Sequence, residues 1–204
     1  MKKVIFFFIF FVSLNTNNIT AGELTITTGD NKNTHKKAYF AGGCFWCMEE
    51  SFDKVKGVIK SISGYSGGHV ENPTYKQVIY NDTGHVETIE ILYDPKLTSY
   101  EKLLEIFWKN IDPFDANGQF CDKGKSYRSV AFYQNLKEKK IIDISKNNIE
   151  KKFNKKKVVT LVWEFDKFYT AENYHQDYYQ NNFIRYLSYK KACQREATLN
   201  KIWN

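Results

Sequence analysis

Ala38-Tyr39-Phe40-Ala41-Gly42-Gly43-Cys44-Phe45-Trp46-Cys47 is the stretch on which the reading of the whole chain turns. Four apolar or aromatic residues predict a short buried strand, and the two glycines predict a turn. Beyond them Phe45, Met48, Phe52 and Val55 recur at i, i+3, i+7 and i+10, which predicts a helix over 44–55. Cys44 therefore falls in the first turn of that helix. Unpaired N–H groups and the helix dipole favour an anion there, so a thiol with a reference pKa of about 8.5 is expected to be lowered. Gly42 and Gly43 let backbone approach a substrate without side-chain obstruction. Cys47 lies three residues on, on the same helical face, close enough for its sulfur to attack an oxidised Cys44 and close a disulfide. The pair reads as a thiol redox couple. Two inert buried cysteines are the bland alternative; a zinc site is disfavoured by a single CxxC with no histidine at matching spacing, and no metal is expected.

Working outward, residues 58–65 alternate as a strand, and Ser66-Gly67-Gly68 with Asn72-Pro73 mark a long loop before the segment 74–80. A strand over 85–93 stops at Asp94-Pro95. An amphipathic helix over 99–110 carries Leu103, Leu104, Phe107 and Trp108 on one stripe, with Ser99 as its cap. A loop rich in Asp, Gly and Asn spans 112–125; strand, helix and strand follow over 128–134, 136–153 and 158–165. The tail from 171 is polar and aromatic, helical in pieces around a loop. No repeat is visible. This mixture predicts an α+β fold: a single-domain two-layer α/β sandwich with a ferredoxin-like core and long loops.

The chain has 204 residues, 42% hydrophobic and 17% aromatic, enough for one full core. Residues 1–21 run from Lys2-Lys3 through an apolar stretch to Ile19-Thr20-Ala21, the order of a cleavable signal peptide. Export, periplasmic or secreted, is expected, with a cytoplasmic location if the segment is no signal. The apolar run is short for a permanent membrane span. Residues 22–37 are polar and read as a linker, leaving 38–204 as the domain. Cleavage would remove two lysines and no acid from a formal charge of +7. The remaining lysines are spread thinly except at 151–157, where a solvated helix end explains them, so no nucleic-acid partner is expected. Four cysteines, at 44, 47, 121 and 193, are too few for a disulfide scaffold.

A bare CxxC fits a thiol–disulfide oxidoreductase acting on protein disulfides as well as anything else. The wider set separates the readings. Gly42-Gly43-Cys44-Phe45-Trp46, Gly64-Tyr65-Ser66-Gly67-Gly68, Asn72-Pro73-Thr74-Tyr75, Thr83-Gly84-His85-Val86-Glu87, Ser126-Tyr127-Arg128-Ser129 and Ala171-Glu172-Asn173-Tyr174-His175-Gln176 together resemble the peptide methionine sulfoxide reductases of type A, in order and spacing. The resemblance covers residues from about 38 to about 185.

That resemblance implies a protein-repair enzyme of oxidative stress, specific for the S epimer of methionine sulfoxide, free or in proteins. Cys44 matches the catalytic cysteine, whose thiolate attacks the sulfoxide sulfur, releases methionine and becomes a sulfenic acid. Glu87 matches the catalytic glutamate that protonates the oxygen, a role that needs a pKa raised from about 4.3 by apolar surroundings. By pattern alone Glu87 reads as a solvent-facing strand residue like Glu90. Phe45 and Trp46 match the apolar pocket for the S-methyl group, and Tyr75 and Tyr127 the hydroxyls that hold the oxygen. Asp122 matches an aspartate that orders the site; His85 and His175 are read as structural, hydrogen-bonding loops in place.

Family members differ in the cysteine that resolves the sulfenic acid. Cys47 ranks first because it needs no loop movement, Cys193 in the tail second, Cys121 third. Arg195 and Glu196 follow Cys193 where some family tails are glycine-rich. No bound cofactor is implied, only an external thiol reductant, a thioredoxin-like partner; a monomer is expected. A non-catalytic module that binds oxidised methionine is the remaining alternative.

Overall fold

Strand β1 (Lys36–Gly42) alternates its side chains between two buried faces: Ala38 and Phe40 enter one apolar cluster, Tyr39 and Ala41 another. The structure, a computed structural model, describes residues 35–204. The expected signal segment 1–21 and most of the expected linker lie outside the described residues. β1 opens at Lys36, so the last two residues of that linker belong to the sheet, Lys36 opposite Tyr93.

After β1 come α1 (Phe45–Asp53), β2 (Val58–Ser66), α2 (Tyr75–Tyr80), β3 (Val86–Tyr93) and α3 (Tyr100–Lys109). A small hairpin of β4 (Gly118–Gln119) and β5 (Asp122–Lys123) lies inside the stretch expected to be loop. β6 (Ser129–Tyr133), α4 (Leu136–Lys152), β7 (Leu161–Glu164) and β8 (Phe168–Thr170) follow, then the tail helices α5 (Tyr178–Asn181), α6 (Phe183–Ala192) and α7 (Arg195–Trp203). Six strands form one sheet in the order β7-β6-β1-β3-β2-β8, antiparallel except for the parallel pair of β6 and β7. The fold is mixed α+β. β8 has no counterpart in the sequence reading, because a three-residue strand is too short to show a period.

α1, α3 and α4 bury Met48, Phe52, Leu103, Leu104, Phe107, Ile142 and Ile149 in the same cluster as Phe40, Ile89 and Ile91 of the central strands. Phe40 stacks between Phe107, at 4.9 Å, and Phe52, at 5.7 Å. Truncating such a ring to alanine costs about 3–5 kcal/mol. Ser99 accepts the Lys102 N–H and caps α3, as its position suggested. No helix among the described residues is long and apolar enough to cross a membrane.

The β1–α1 turn deserves a physical reason. Gly43 has φ +79°, a conformation L side chains avoid, and a Cβ there would lie 2.5 Å from the Gln119 Cβ. A Cβ on Gly42 would strike the Met48 sulfur. The room the glycines leave is filled by Gln119 and Met48, not kept open for substrate, which corrects the sequence expectation.

Candidate active site

Cys44 is the residue before α1, with φ −51° and ψ 116°, and its carbonyl accepts the N–H groups of Cys47 at 3.1 Å and Met48 at 3.3 Å. Its thiol is buried and free, as is that of Cys47, and the two pack in one buried cluster with Tyr186. The first N–H of the helix does not serve the thiol. Phe45 N–H donates to Glu87 Oε2 at 3.0 Å. The structure therefore reverses the expectation of a lowered Cys44: burial pushes its thiol up, helped by Cys47 and by the nearby Glu87 and Asp122. Cys47 is instead held down to about 7 by the hydrogen bond from Cys44 and by the Arg195 guanidinium.

Glu87 is the second residue of β3 and lies on the face that meets α1, the same side as Ile89 and Ile91. It is 2% exposed, and burial lifts its carboxyl well above the usual range against the pull of the Phe45 amide. Glu90, which the pattern places in solvent, is also buried: it accepts from Tyr39 Oη at 2.7 Å and Lys37 Nζ at 3.0 Å. The opposite face of this strand is covered by the stacked Tyr39 and Phe165 rings, which alternation alone could not reveal.

Tyr75 begins α2, whose capping box pairs Thr74 and Gln77. Glu172 fixes that start, its carboxylate accepting Tyr75 N–H at 2.9 Å and Tyr65 Oη at 2.9 Å. The Tyr75 and Tyr127 hydroxyls neighbour each other and feel Glu87; burial raises both, Tyr75 to about 12. Two hydroxyls and a carboxyl whose acid form burial favours thus lie in one neighbourhood with Cys44.

Phe45 and Trp46 form the aromatic wall. Trp46 Nε1 donates to His175 Nδ1 at 3.2 Å, and His175 packs on Phe45 at 5.0 Å and Tyr75 at 4.5 Å. Burial lowers His175 to about 4, so the ring is neutral, with its proton on an Nε2 that has no partner. His175 orients the wall more than it pins a loop. His85 does pin one, accepting Gly68 N–H at 3.1 Å and reaching Val70 O at 2.7 Å.

The tail closes the site. Tyr186 is buried in one cluster with Cys44 and Cys47, Tyr178 stacks on Trp46 at 3.8 Å, and Tyr189 donates to Asp122 Oδ2 at 2.5 Å. Asp122 itself is raised by burial, opposed by Tyr189 and Arg195. Beside it Cys121 and Cys193 are joined as a disulfide. The three donor atoms of Cys121, Asp122 and Cys193 lie within 4.8 Å of one another, but bonded sulfurs offer no thiolate to a metal. Cys193 is thus engaged with Cys121, in a tail that is helical and anchored by the buried Arg195.

Sequence reasoning missed Tyr178, Tyr186, Tyr189, Arg195 and Glu172. The spacing of Tyr186, Tyr189 and Cys193 at i, i+3 and i+7 carried the signal of one helical face turned toward the site.

Residues 36–204 match the family model described as peptide methionine sulfoxide reductase. Peptide methionine sulfoxide reductase MsrA 2 of Staphylococcus aureus (strain MW2) is 46% identical over 171 residues, 83% of this chain and 97% of that one. Peptide methionine sulfoxide reductase MsrA of Bacillus licheniformis is 48% identical over 167 residues, 81% and 92% of the two chains. The reduced form of Mxr1 from Saccharomyces cerevisiae shares the fold with a TM-score of 0.68 at 30% identity, covering 72% of this chain and 86% of that one. With the site's geometry and these likenesses together, the chain belongs to the peptide methionine sulfoxide reductase family, type A, and is an oxidoreductase that reduces methionine sulfoxide.

Proposed function

We propose that the enzyme reduces the S epimer of methionine sulfoxide, free and in proteins, with Cys44 as nucleophile and Glu87 as proton donor. The observation that carries this reading is the buried Glu87 carboxyl, held on the Phe45 amide one residue beyond the Cys44 thiol. A carboxyl whose acid form burial favours can give its proton to the sulfoxide oxygen while the Cys44 sulfur attacks the sulfoxide sulfur. Tyr75 and Tyr127 hold that oxygen, Asp122 orders the site, and Phe45 and Trp46 receive the S-methyl group. The attack forms a bond between the two sulfurs; that bond then breaks as the protonated oxygen passes from the substrate sulfur to the Cys44 sulfur, which releases methionine and leaves a Cys44 sulfenic acid.

Cys47 resolves the sulfenic acid. It is the free thiol packed in the same buried cluster as Cys44, whereas Cys193 is bonded to Cys121. The Cys44–Cys47 disulfide then needs an external dithiol of thioredoxin type, and Mxr1 of Saccharomyces cerevisiae has a solved complex with Trx2. The Cys121–Cys193 pair fits a recycling role beside that site. Tyr178 stacks on the Trp46 ring at 3.8 Å and narrows the wall that receives the S-methyl group.

Residues 1–21 are read as a signal peptide and the enzyme as an exported repair protein, acting as a single-domain monomer. The four strands in the order β6-β1-β3-β2, with α1 and α3, are read as its ferredoxin-like core. Turnover on the separated epimers with dithiothreitol tests the reading: the S epimer alone is reduced. Equal rates on both epimers, or on the R epimer alone, would overturn it.

A further inference from the structure

Arg195 opens α7 and is 3% exposed. Its guanidinium donates to three uncharged acceptors: Asn110 O at 2.5 Å, Gly42 O at 3.3 Å and Met48 Sδ at 3.3 Å. Its flat face lies 4.4 Å from the Phe120 ring centre. No carboxylate among the described residues lies within ion-pair distance of it. A buried cation without a counter-ion is costly, so the anions it serves must be sought farther off. Its charge acts on two groups, Cys47 and Asp122. Cys47 and Arg195 also line one cleft of about 290 Å³, together with Glu50, Asn110 and Lys190. Lys190 is taken by Glu50 and Glu196. Glu50 also accepts from Lys54 and the Tyr186 hydroxyl. Of the cations that line this cleft beside Cys47, Lys54 and Lys190 are paired with carboxylates and Arg195 is not.

We infer that Arg195 is a positioning residue for resolution: carried by the C-terminal helix, it places an unpaired positive charge in the cleft that Cys47 lines, where it assists the attack of the Cys47 sulfur on oxidised Cys44. This rests on Cys47 being the resolving cysteine. In that step the Cys47 thiolate attacks the sulfenic sulfur, the S–S bond forms and the S–O bond breaks. Oxygen leaves as hydroxide and takes a proton to become water, so the Cys47 sulfur is oxidised as the Cys44 sulfur is reduced. No further oxidant is needed. Arg195 does not touch the reacting sulfur of Cys44; its three contacts all come from one nitrogen, Nη2, which shares its two hydrogens among them.

The experiment mixes reduced full-length enzyme with methionine sulfoxide and follows two signals. Methionine release reads the first step; disulfide closure, with dimedone to trap unresolved sulfenic acid, reads the second. In Arg195→Gln, closure at pH 7 is expected to slow at least tenfold, and its pH midpoint to move upward. Methionine release should change less than threefold. Arg195→Lys, which keeps the positive charge, should keep most of the native closure rate. Should the Gln variant fail to fold, Arg195→Met removes the charge while keeping the apolar stem, and carries the same expectation. Native closure rates and an unchanged pH profile in the neutral variants would overturn the inference alone, provided Cys47→Ser stalls at the sulfenic acid. Native closure in Cys47→Ser would overturn both this inference and the reading of Cys47 beneath it.

Discussion

Glu87 Oε2 accepts the Phe45 amide at 3.0 Å, and so takes the helix-start N–H that the neighbouring Cys44 thiol does not get. The amide favours the carboxylate, yet burial is the larger influence and keeps the acid form well into the range where ordinary carboxyls are ionised. The sign follows: a proton donor works below its own pKa, so methionine release should hold at pH values where an ordinary carboxyl is already ionised and fall as pH rises further. Glu87→Gln should abolish that fall and lower the rate by roughly 100-fold or more, the usual worth of a general acid. Pre-steady-state methionine release measured across pH checks both. An unchanged rate in the variant would remove Glu87 from the reaction.

Glu49, in α1, gives a second pH effect, on stability. It is 1% exposed, neither carboxylate oxygen has a hydrogen-bond partner, and burial raises it to about 8, with Asp53 and Asp177 adding to the shift. An acid whose folded pKa lies above its unfolded one stabilises the fold in the protonated form. That stability is intact below the unfolded value of about 4.3 and drains away up to pH 8, by at most about 1.4 kcal/mol per pH unit. Glu49→Gln should flatten the decline and raise Tm at pH 8.5 by roughly 5 °C. Thermal unfolding of both proteins at pH 5 and 8.5 is the check, and parallel curves would contradict it.

His175 clamps Trp46 through one hydrogen bond of 3.2 Å. Such a bond is worth about 1 kcal/mol, or about fivefold in an equilibrium constant. His175→Ala should therefore raise KM for the sulfoxide about fivefold by loosening the methyl pocket, with kcat changing less. Steady-state kinetics with dithiothreitol read the split; a loss in kcat alone would assign His175 to the chemistry instead of the pocket.

Much of the fold could be read from the chain, because β1, α1, β3 and α3 have faces whose apolar period survives in their own sequence. Ser99 announced its helix for the same local reason. What could not be read depends on distant partners. Glu90 looks like a solvent residue until Tyr39 and Lys37 are brought to it from β1. The thiol of Cys44 is lowered in any argument from the helix end alone; burial under α6 and the neighbouring carboxyls reverse the direction. The aromatic wall was visible as Phe45 and Trp46, but its closure by Tyr178 and Tyr189 was not, since a polar tail with scattered aromatics shows no strong moment.

Export is a prediction about residues 1–21. The mature protein isolated from its native cells should begin at Gly22, as N-terminal sequencing would show. A start at Met1 would defeat the signal-peptide reading.

The most direct test of Cys44 as the sulfoxide-directed nucleophile uses the variant Cys47→Ser, Cys121→Ser, Cys193→Ser, in which Cys44 is the one thiol left. Mixed with the S epimer and dimedone, without reductant, it should release one methionine per chain and carry one dimedone adduct on the peptide containing Cys44. Failure to release methionine, or release without an adduct on Cys44, would contradict the account.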